Sequence, residues 1–271
     1  MTLLEALQER FPDSSTTTLR KMLQSGRVRV SGEVAKNAKR AVGADDTIDV
    51  AQKSVPAVLP GVAVLHEDDD VIVLLKPHGL LTVATERERE NTLQAALNRY
   101  LPERVHVVHR LDRETSGVLV FAKNFEAREA LKEQFAAHSV DRVYVAVIEG
   151  AMEPLRGTIR SHLYEGRDLR MRSSGAHPEA KLAVTHYRTI EVREPYSMLE
   201  VTLETGRKNQ IRAHLSEAGH AVAGDQLYGA ATNPLNRLGL HAKLLGFTHP
   251  STSRRLSFTA PVPSAFRALF R

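Results

Sequence analysis

Residues 109–117 read HRLDRETSG: the Asp112 carboxylate stands between the guanidinium groups of Arg110 and Arg113, and Glu114, two hydroxyls and a glycine follow. A carboxylate among cations resists protonation, and it can attack an electrophile or stabilise developing positive charge. Apolar residues border the stretch, with Val105, Val107 and Val108 before it and Val118–Phe121 after it. A charged turn between two strand-like runs presents a reactive side chain from a rigid base.

Several other chemistries have no support. Cysteine is absent, which removes disulfides, thiolate metal sites and a thiol nucleophile. No GxGxxG, GxxxxGK[ST] or HExxH pattern occurs, so a dinucleotide fold, a P-loop and a zinc protease lack their signatures. The 12 histidines invite a metal reading, above all His106 and His109, but no spaced His/Asp set supports one and no metal is expected. Ser116, His109 and Asp112 could be assembled into a hydrolase trio, yet Ser116 lies in no GxSxG elbow.

The elements that must position Asp112 divide into two groups. Leu3, Leu7 and Phe11 fall at helical spacing over residues 2–11, and Leu19, Met22 and Leu23 over residues 15–24. RVRVSGEV alternates Val28 and Val30 with Arg27 and Arg29, and Ser31-Gly32 suits a two-residue hairpin turn before a strand TIDV at 47–50. Residues 51–61, with two prolines and a glycine, read as a linker. The expected division is therefore 1–52, a linker over 53–61, and a larger domain over 62–271. In that domain VIVLLKP at 71–77 reads as a fully buried strand, followed by a helix over 92–100. Further strands are expected at VLVFA, VYVAVIEG, LAVTHYRTIEV and MLEVTLE, with helices over 126–138 and after GRKNQIR. Strands outnumber helices without regular alternation, which predicts an α+β fold with a mixed, mainly antiparallel sheet flanked by helices. Arg156, Arg160, Arg167, Arg170, Arg172 and Lys181 lie in a glycine-punctuated stretch that reads as a loop or hairpin able to grip RNA. The net charge of +5 favours a polyanionic partner. The acidic N-terminus has no signal-peptide pattern, no stretch reaches the ~20 apolar residues of a membrane helix, and the absent cysteine fits a reducing cytoplasm.

Two resemblances sharpen this. Residues 19–50, LRKMLQSGRVRVSGEVAKNAKRAVGADDTIDV, resemble the S-four-like RNA-binding domain, a small α/β module. The resemblance carries Arg20, Lys21, Arg27, Arg29 and Lys36 onto an RNA-facing surface, although Ser31 stands where that family often has asparagine. HRLDRETSG, RVYVAV at 142–147, KLAVTHY at 181–187, GRKNQIRAHL at 206–215, GDQLYG at 224–229 and LHAKLLGFTHP at 240–250 together resemble an RluA-type pseudouridine synthase over residues 62–271. That resemblance implies isomerisation of selected uridines in structured RNA, with large-subunit ribosomal RNA as substrate and transfer RNA as the runner-up. It implies no cofactor, no membrane and a monomer. Asp112 matches the catalytic aspartate, and two routes stay open for it: attack on the base, or assistance of glycosidic cleavage. Arg212 matches the cation that keeps that aspartate charged. Tyr144 matches a tyrosine lying against the target base and able to take the proton from carbon 5, although periodicity alone makes it a core residue. Arg110 matches an arginine that holds the displaced strand, and His109 orients the loop around the substrate.

This chain departs from the family pattern at three points. Arg142 replaces a frequent lysine, Asn209 the histidine of GR-x-HQ, and Ala221 a frequent proline. Asn209 still offers a hydrogen bond near the substrate, and Ala221 should only loosen its turn. A non-catalytic RNA-binding or ribosome-assembly protein on the same fold is the alternative from another class, and it would be expected to lose Asp112, Tyr144 and Arg212.

Overall fold

The computed structural model describes residues 1–50 and 61–271, apart from residues 13, 25, 44 and 87. The linker expected over 53–61 lies, except for Gly61, outside the described residues. The chain divides into two compact units, residues 1–56 and 57–271.

In the first unit α1 (Leu3–Arg10) begins at Thr2, whose hydroxyl accepts from the Glu5 amide while the Glu5 carboxylate accepts from the Thr2 amide. α2 (Thr16–Gln24) buries Leu19 and Leu23. β1 (Val28–Val30) and β2 (Glu33–Val34) meet at Ser31-Gly32, which has φ of 51° and 86°. Both residues are left-handed, as the tight hairpin turn requires. The Ser31 hydroxyl donates to Asp46 Oδ1 at 2.9 Å and holds the turn. β3 (Ile48–Val50) pairs with the other edge of β1. Val28 and Val30 point inward to Leu3, Leu7, Leu19 and Leu23, while Arg29 stays in water.

The second unit is built on one sheet. Its strands are β4 (Ala63–Glu67), β5 (Val71–Lys76), β6 (His106–Val107), β7 (Ser116–Ala122), β8 (Asp141–Glu149), β9 (Arg156–Glu165), β10 (Met171–Ser173), β11 (Lys181–Arg193), β12 (Tyr196–Leu203), β13 (Leu240–Thr248) and β14 (Arg255–Thr259). The helices are α3 (Leu93–Tyr100), α4 (Phe125–Ala136), α5 (Gln210–Glu217) and α6 (Ser264–Ala268). The sheet runs β10-β9-β11-β12-β8-β13-β7-β5-β4, with β14 beside β13 and β6 beside β7. Every pairing among the described residues is antiparallel except β13 with β7. The mixed, mainly antiparallel α+β fold is as the sequence predicts.

β5 and β7 are buried on both faces, which is why they read as unbroken apolar runs. Ile72, Leu74, Leu119 and Phe121 pack with Leu93 and Leu97 of α3 on one face. Val71, Val73, Val118 and Val120 pack with Ala127 and Leu131 of α4 on the other. Leu199, Val201 and Leu203 of β12 face α5, as their alternation predicts.

One stretch departs from the sequence reading: β4 precedes the expected first strand, because pairing with β5 overrides its weak apolar pattern. Of the loop and the hairpin expected over residues 156–181, the structure has the hairpin, with β10 folded back on β9. β9 is ten residues long and pairs with β11 from Arg156 to Leu163, sending Leu163 into the core with Ala213 of α5. Strand alternation then sends Arg156 and Arg160 to the opposite face of the sheet from Leu163.

Candidate active site

The HRLDRETSG segment leaves β6, crosses the sheet end and enters β7, and it is tied down on every side. Thr82 donates its hydroxyl to the Leu111 carbonyl at 2.7 Å and accepts the Leu111 amide at 3.2 Å. Lys76 is fully buried and spends its ammonium on the carbonyls of Pro77, Leu80 and Arg113. Burial pulls its pKa down to about 8, against the opposing pull of Glu114 and Asp112. The Ser116 hydroxyl pairs with His241 Nδ1 at 2.8 Å and accepts from Arg237 at 2.7 Å. Gly117, at φ +126°, lies against β13; a Cβ there would stand 2.1 Å from the Ala242 carbonyl oxygen.

His109 turns back under the loop. Its Nε2 accepts the Val120 amide at 3.2 Å and its ring stacks on Phe135 at 4.7 Å. Burial, reinforced by Arg142, lowers its pKa to about 3, so the ring is neutral at physiological pH. The trio of Ser116, His109 and Asp112 is therefore not assembled: Ser116 binds His241, and His109 holds the backbone. His106 and His109 form no metal set. The cluster of metal-ligating groups among the described residues is Asp68, Asp70 and His249, 181 positions apart at its ends and so invisible to local spacing. There the His249 Nε2 pairs with Asp68 Oδ2, and its Nδ1 accepts backbone amides of Ser251 and Thr252.

Asp112, Tyr144, Arg212, Arg110, His109 and Asn209 line one cleft of about 680 Å³. Arg110 is exposed and also borders a smaller adjoining hollow that holds Asp112 and Arg212. Arg20, Lys21, Arg27, Arg29 and Lys36 belong to the first unit, where Arg20, Lys21, Arg29 and Lys36 are exposed and Arg27 is half-buried.

Arg212 is the most constrained of the cleft residues. Its Nε and Nη2 donate to the two oxygens of Asp225 at 2.6 and 2.7 Å, and its guanidinium lies 4.9 Å over the Tyr228 ring. That leaves Nη1, which reaches Asn209 Oδ1 at 3.3 Å and lies 3.5 Å from Asp112 Oδ2. Burial alone would lower the Arg212 pKa, but Asp225, with Asp112 adding to it, carries it above the ordinary value. The resemblance gave Arg212 one carboxylate, Asp112, and assigned Asp225 no part in the site. In the structure the two-pronged pair is with Asp225, 98% buried, and Asp112 receives the remaining edge. The GD dipeptide before a tyrosine was the available signal, but its partner is set by tertiary packing.

α5 is held from within. Gln210 accepts from the Thr205 hydroxyl and the Arg207 amide and donates to Val184 and Thr185. Asn209 sits at φ 48°, a left-handed position that asparagine tolerates well. Its amide spans from Arg212 to the Tyr228 hydroxyl, so it braces the cation besides lining the cleft. Ala221 is buried and its carbonyl accepts the Glu149 amide, which pins the turn without proline.

Tyr144 packs between two apolar clusters, so the core reading of its ring holds alongside its place in the cleft. Burial pushes its pKa up to about 12; Arg142 opposes this and Asp112 adds to it. It is a neutral phenol at physiological pH.

Residues 70–217 match the RNA pseudouridylate synthase family, and residues 1–48 match the S4 domain, the RNA-binding module expected above. The chain is 33% identical to ribosomal large subunit pseudouridine synthase D of Neisseria meningitidis serogroup A, over 95% of this chain and 74% of that one. It is 35% identical to the uncharacterized RNA pseudouridine synthase YlyB of Bacillus subtilis, over 93% of this chain and 87% of that one. The structure of human RNA pseudouridylate synthase domain containing 1 superposes with a TM-score of 0.64 at 26% identity, covering 78% of this chain and 88% of that one. Fold and relatives are those of an enzyme acting on RNA. The chain belongs to the RNA pseudouridylate synthase family, and the enzyme it defines is an RNA pseudouridine synthase, an isomerase.

Proposed function

We propose that this chain converts specific uridines of large-subunit ribosomal RNA to pseudouridine, with Asp112 as the catalytic carboxylate. The observation that carries the reading is the charge pattern of the cleft: Arg110, Arg142, Arg207, Lys208 and Arg212 line it around one carboxylate, Asp112. Such a lining attracts a polyanionic strand and leaves one group free for chemistry. The reaction breaks the N-glycosidic bond, turns the base and rejoins it through carbon 5. Atoms and oxidation state are conserved, so neither a cofactor nor a metal is needed. Asp112 acts by attack on the base or by assisting glycosidic cleavage, beside a cation that Asp225 holds in place. Tyr144 packs against the extruded base, and Arg110 occupies the gap that it leaves; extrusion costs a few kcal/mol of unstacking. Residues 1–52 grip RNA phosphates through Arg20, Lys21, Arg27, Arg29 and Lys36. The enzyme works as a cytoplasmic monomer, and the relatives named as ribosomal large subunit pseudouridine synthases favour the ribosomal substrate.

The test is a pseudouridine map of ribosomal and transfer RNA from cells with and without the protein, complemented by wild type or Asp112→Asn. We expect positions in large-subunit RNA to be lost, then restored by wild type alone, with the variant still binding RNA. Loss confined to transfer RNA would move the substrate to the runner-up. Isomerisation retained by the variant would remove Asp112 from its role, and an unchanged map would favour a non-catalytic RNA-binding protein.

A further inference from the structure

Arg142 stands apart from the other cations of the cleft. It is the second residue of β8, 8% exposed, and shares a strand face with Tyr144, about 7 Å further along. Its Nη2 donates to the Glu204 carbonyl at 3.0 Å, while its buried Nε has no partner. Among the described residues no carboxylate pairs with it, whereas Arg212 holds Asp225. The Phe135 ring lies 5.7 Å from its Cζ, and glycine at 206 makes room for it: a Cβ there would stand 2.4 Å from Nη1.

A guanidinium cannot shed its proton to escape burial. The fold therefore keeps a largely buried positive charge, without a counter-ion among the described residues, in the wall of a cleft. Buried cations are normally paired because desolvation is otherwise unrecovered. An anion arriving with the ligand would supply the missing partner, and the planar fork can bind it while still holding the Glu204 carbonyl. We propose that Arg142 is a phosphate-binding site, docking a phosphodiester that flanks the flipped uridine. The inference rests on reading the cleft as the RNA site. It assigns Arg142 to substrate positioning rather than to bracing Phe135 or tuning Tyr144.

The experiment uses the full chain and the shortest stem-loop of large-subunit ribosomal RNA that it modifies. The RNA is intact or carries one uncharged methylphosphonate linkage, 5′ or 3′ of the target uridine. One of the two linkages should lower wild-type kcat/KM about 10- to 100-fold. Arg142→Gln should lose a similar factor on intact RNA, Arg142→Lys should recover part of it, and the losses of variant and linkage should not add. Additive losses would overturn the inference while leaving the functional reading intact. If wild type modifies no RNA, the functional reading falls and takes this inference with it. Arg142→Met supplies a control for folding: its thermal midpoint should equal or exceed that of wild type, because an unpaired buried charge is removed. A fall of more than about 5 °C would make Arg142 a structural brace and overturn the assignment.

Discussion

At the scale of single residues, the site depends on how Arg212 divides its donors. Two go to Asp225 and the remaining edge faces Asp112, so the carboxylate proposed to do the chemistry has a cation beside it without being locked into a two-pronged pair. Asp225→Ala would leave a buried guanidinium without its main partner. It should lose about 3–5 kcal/mol of stability in urea unfolding and about 100-fold in kcat from misplacement of Arg212. Unchanged kcat would show that Asp225 serves the fold alone. Tyr144 makes a second, independent case. With its pKa pushed up to about 12, the kcat–pH profile should carry no limb from this phenol below about pH 10. A limb in that range that Tyr144→Phe removes would mean that phenolate forms in the working enzyme and takes the carbon 5 proton. Asp112, Tyr144 and Arg212 could be singled out through the family resemblance, and the structure brings all three to one cleft. Asp225 and Arg142 were not read for their electrostatics, since what distinguishes them is the presence or absence of a partner far away in the chain.

At the scale of elements, the HRLDRETSG loop is held by what crosses beneath it. Gly117→Ala would drive a Cβ into the β13 backbone at a φ that alanine rarely adopts. We expect a loss of at least about 3 kcal/mol and of activity, read by denaturant unfolding and turnover; a near-neutral result would show that β13 can shift. Lys76 gives a signed pH effect. Its folded pKa of about 8 lies below the unfolded value of 10.5, so the unfolded chain binds more protons between those limits. Stability from this group therefore rises as pH climbs through that window, by up to about 3 kcal/mol. Comparing urea midpoints across it, the wild type minus Lys76→Met difference should slope upward. Strands buried on both faces, and the Ser31-Gly32 hairpin, could be read from pattern and turn chemistry. β4 and β9 could not: one is too weakly apolar, the other rich in arginine and glycine, and both are fixed by pairing with distant strands.

At the scale of the molecule, cationic residues concentrate between Ser14 and Arg40. Arg20, Lys21, Arg27, Arg29, Lys36, Lys39 and Arg40 stand there against Glu33, whereas the rest of the first unit is acidic or neutral apart from Arg10 and Lys53. Deleting residues 1–55 should weaken RNA affinity and flatten its dependence on salt, because fewer counter-ions are released. An unchanged slope of log affinity against log salt would show that this unit does not touch phosphate. In the larger unit β13 lies between β7, which leads from Asp112, and β8, which carries Tyr144. Residues 112 and 144 are near neighbours in the chain, yet a strand beginning at Leu240 separates and aligns the strands that carry them. A chain that stops at residue 235 thus holds Asp112, Tyr144 and Arg212 but lacks the strand that aligns β7 with β8.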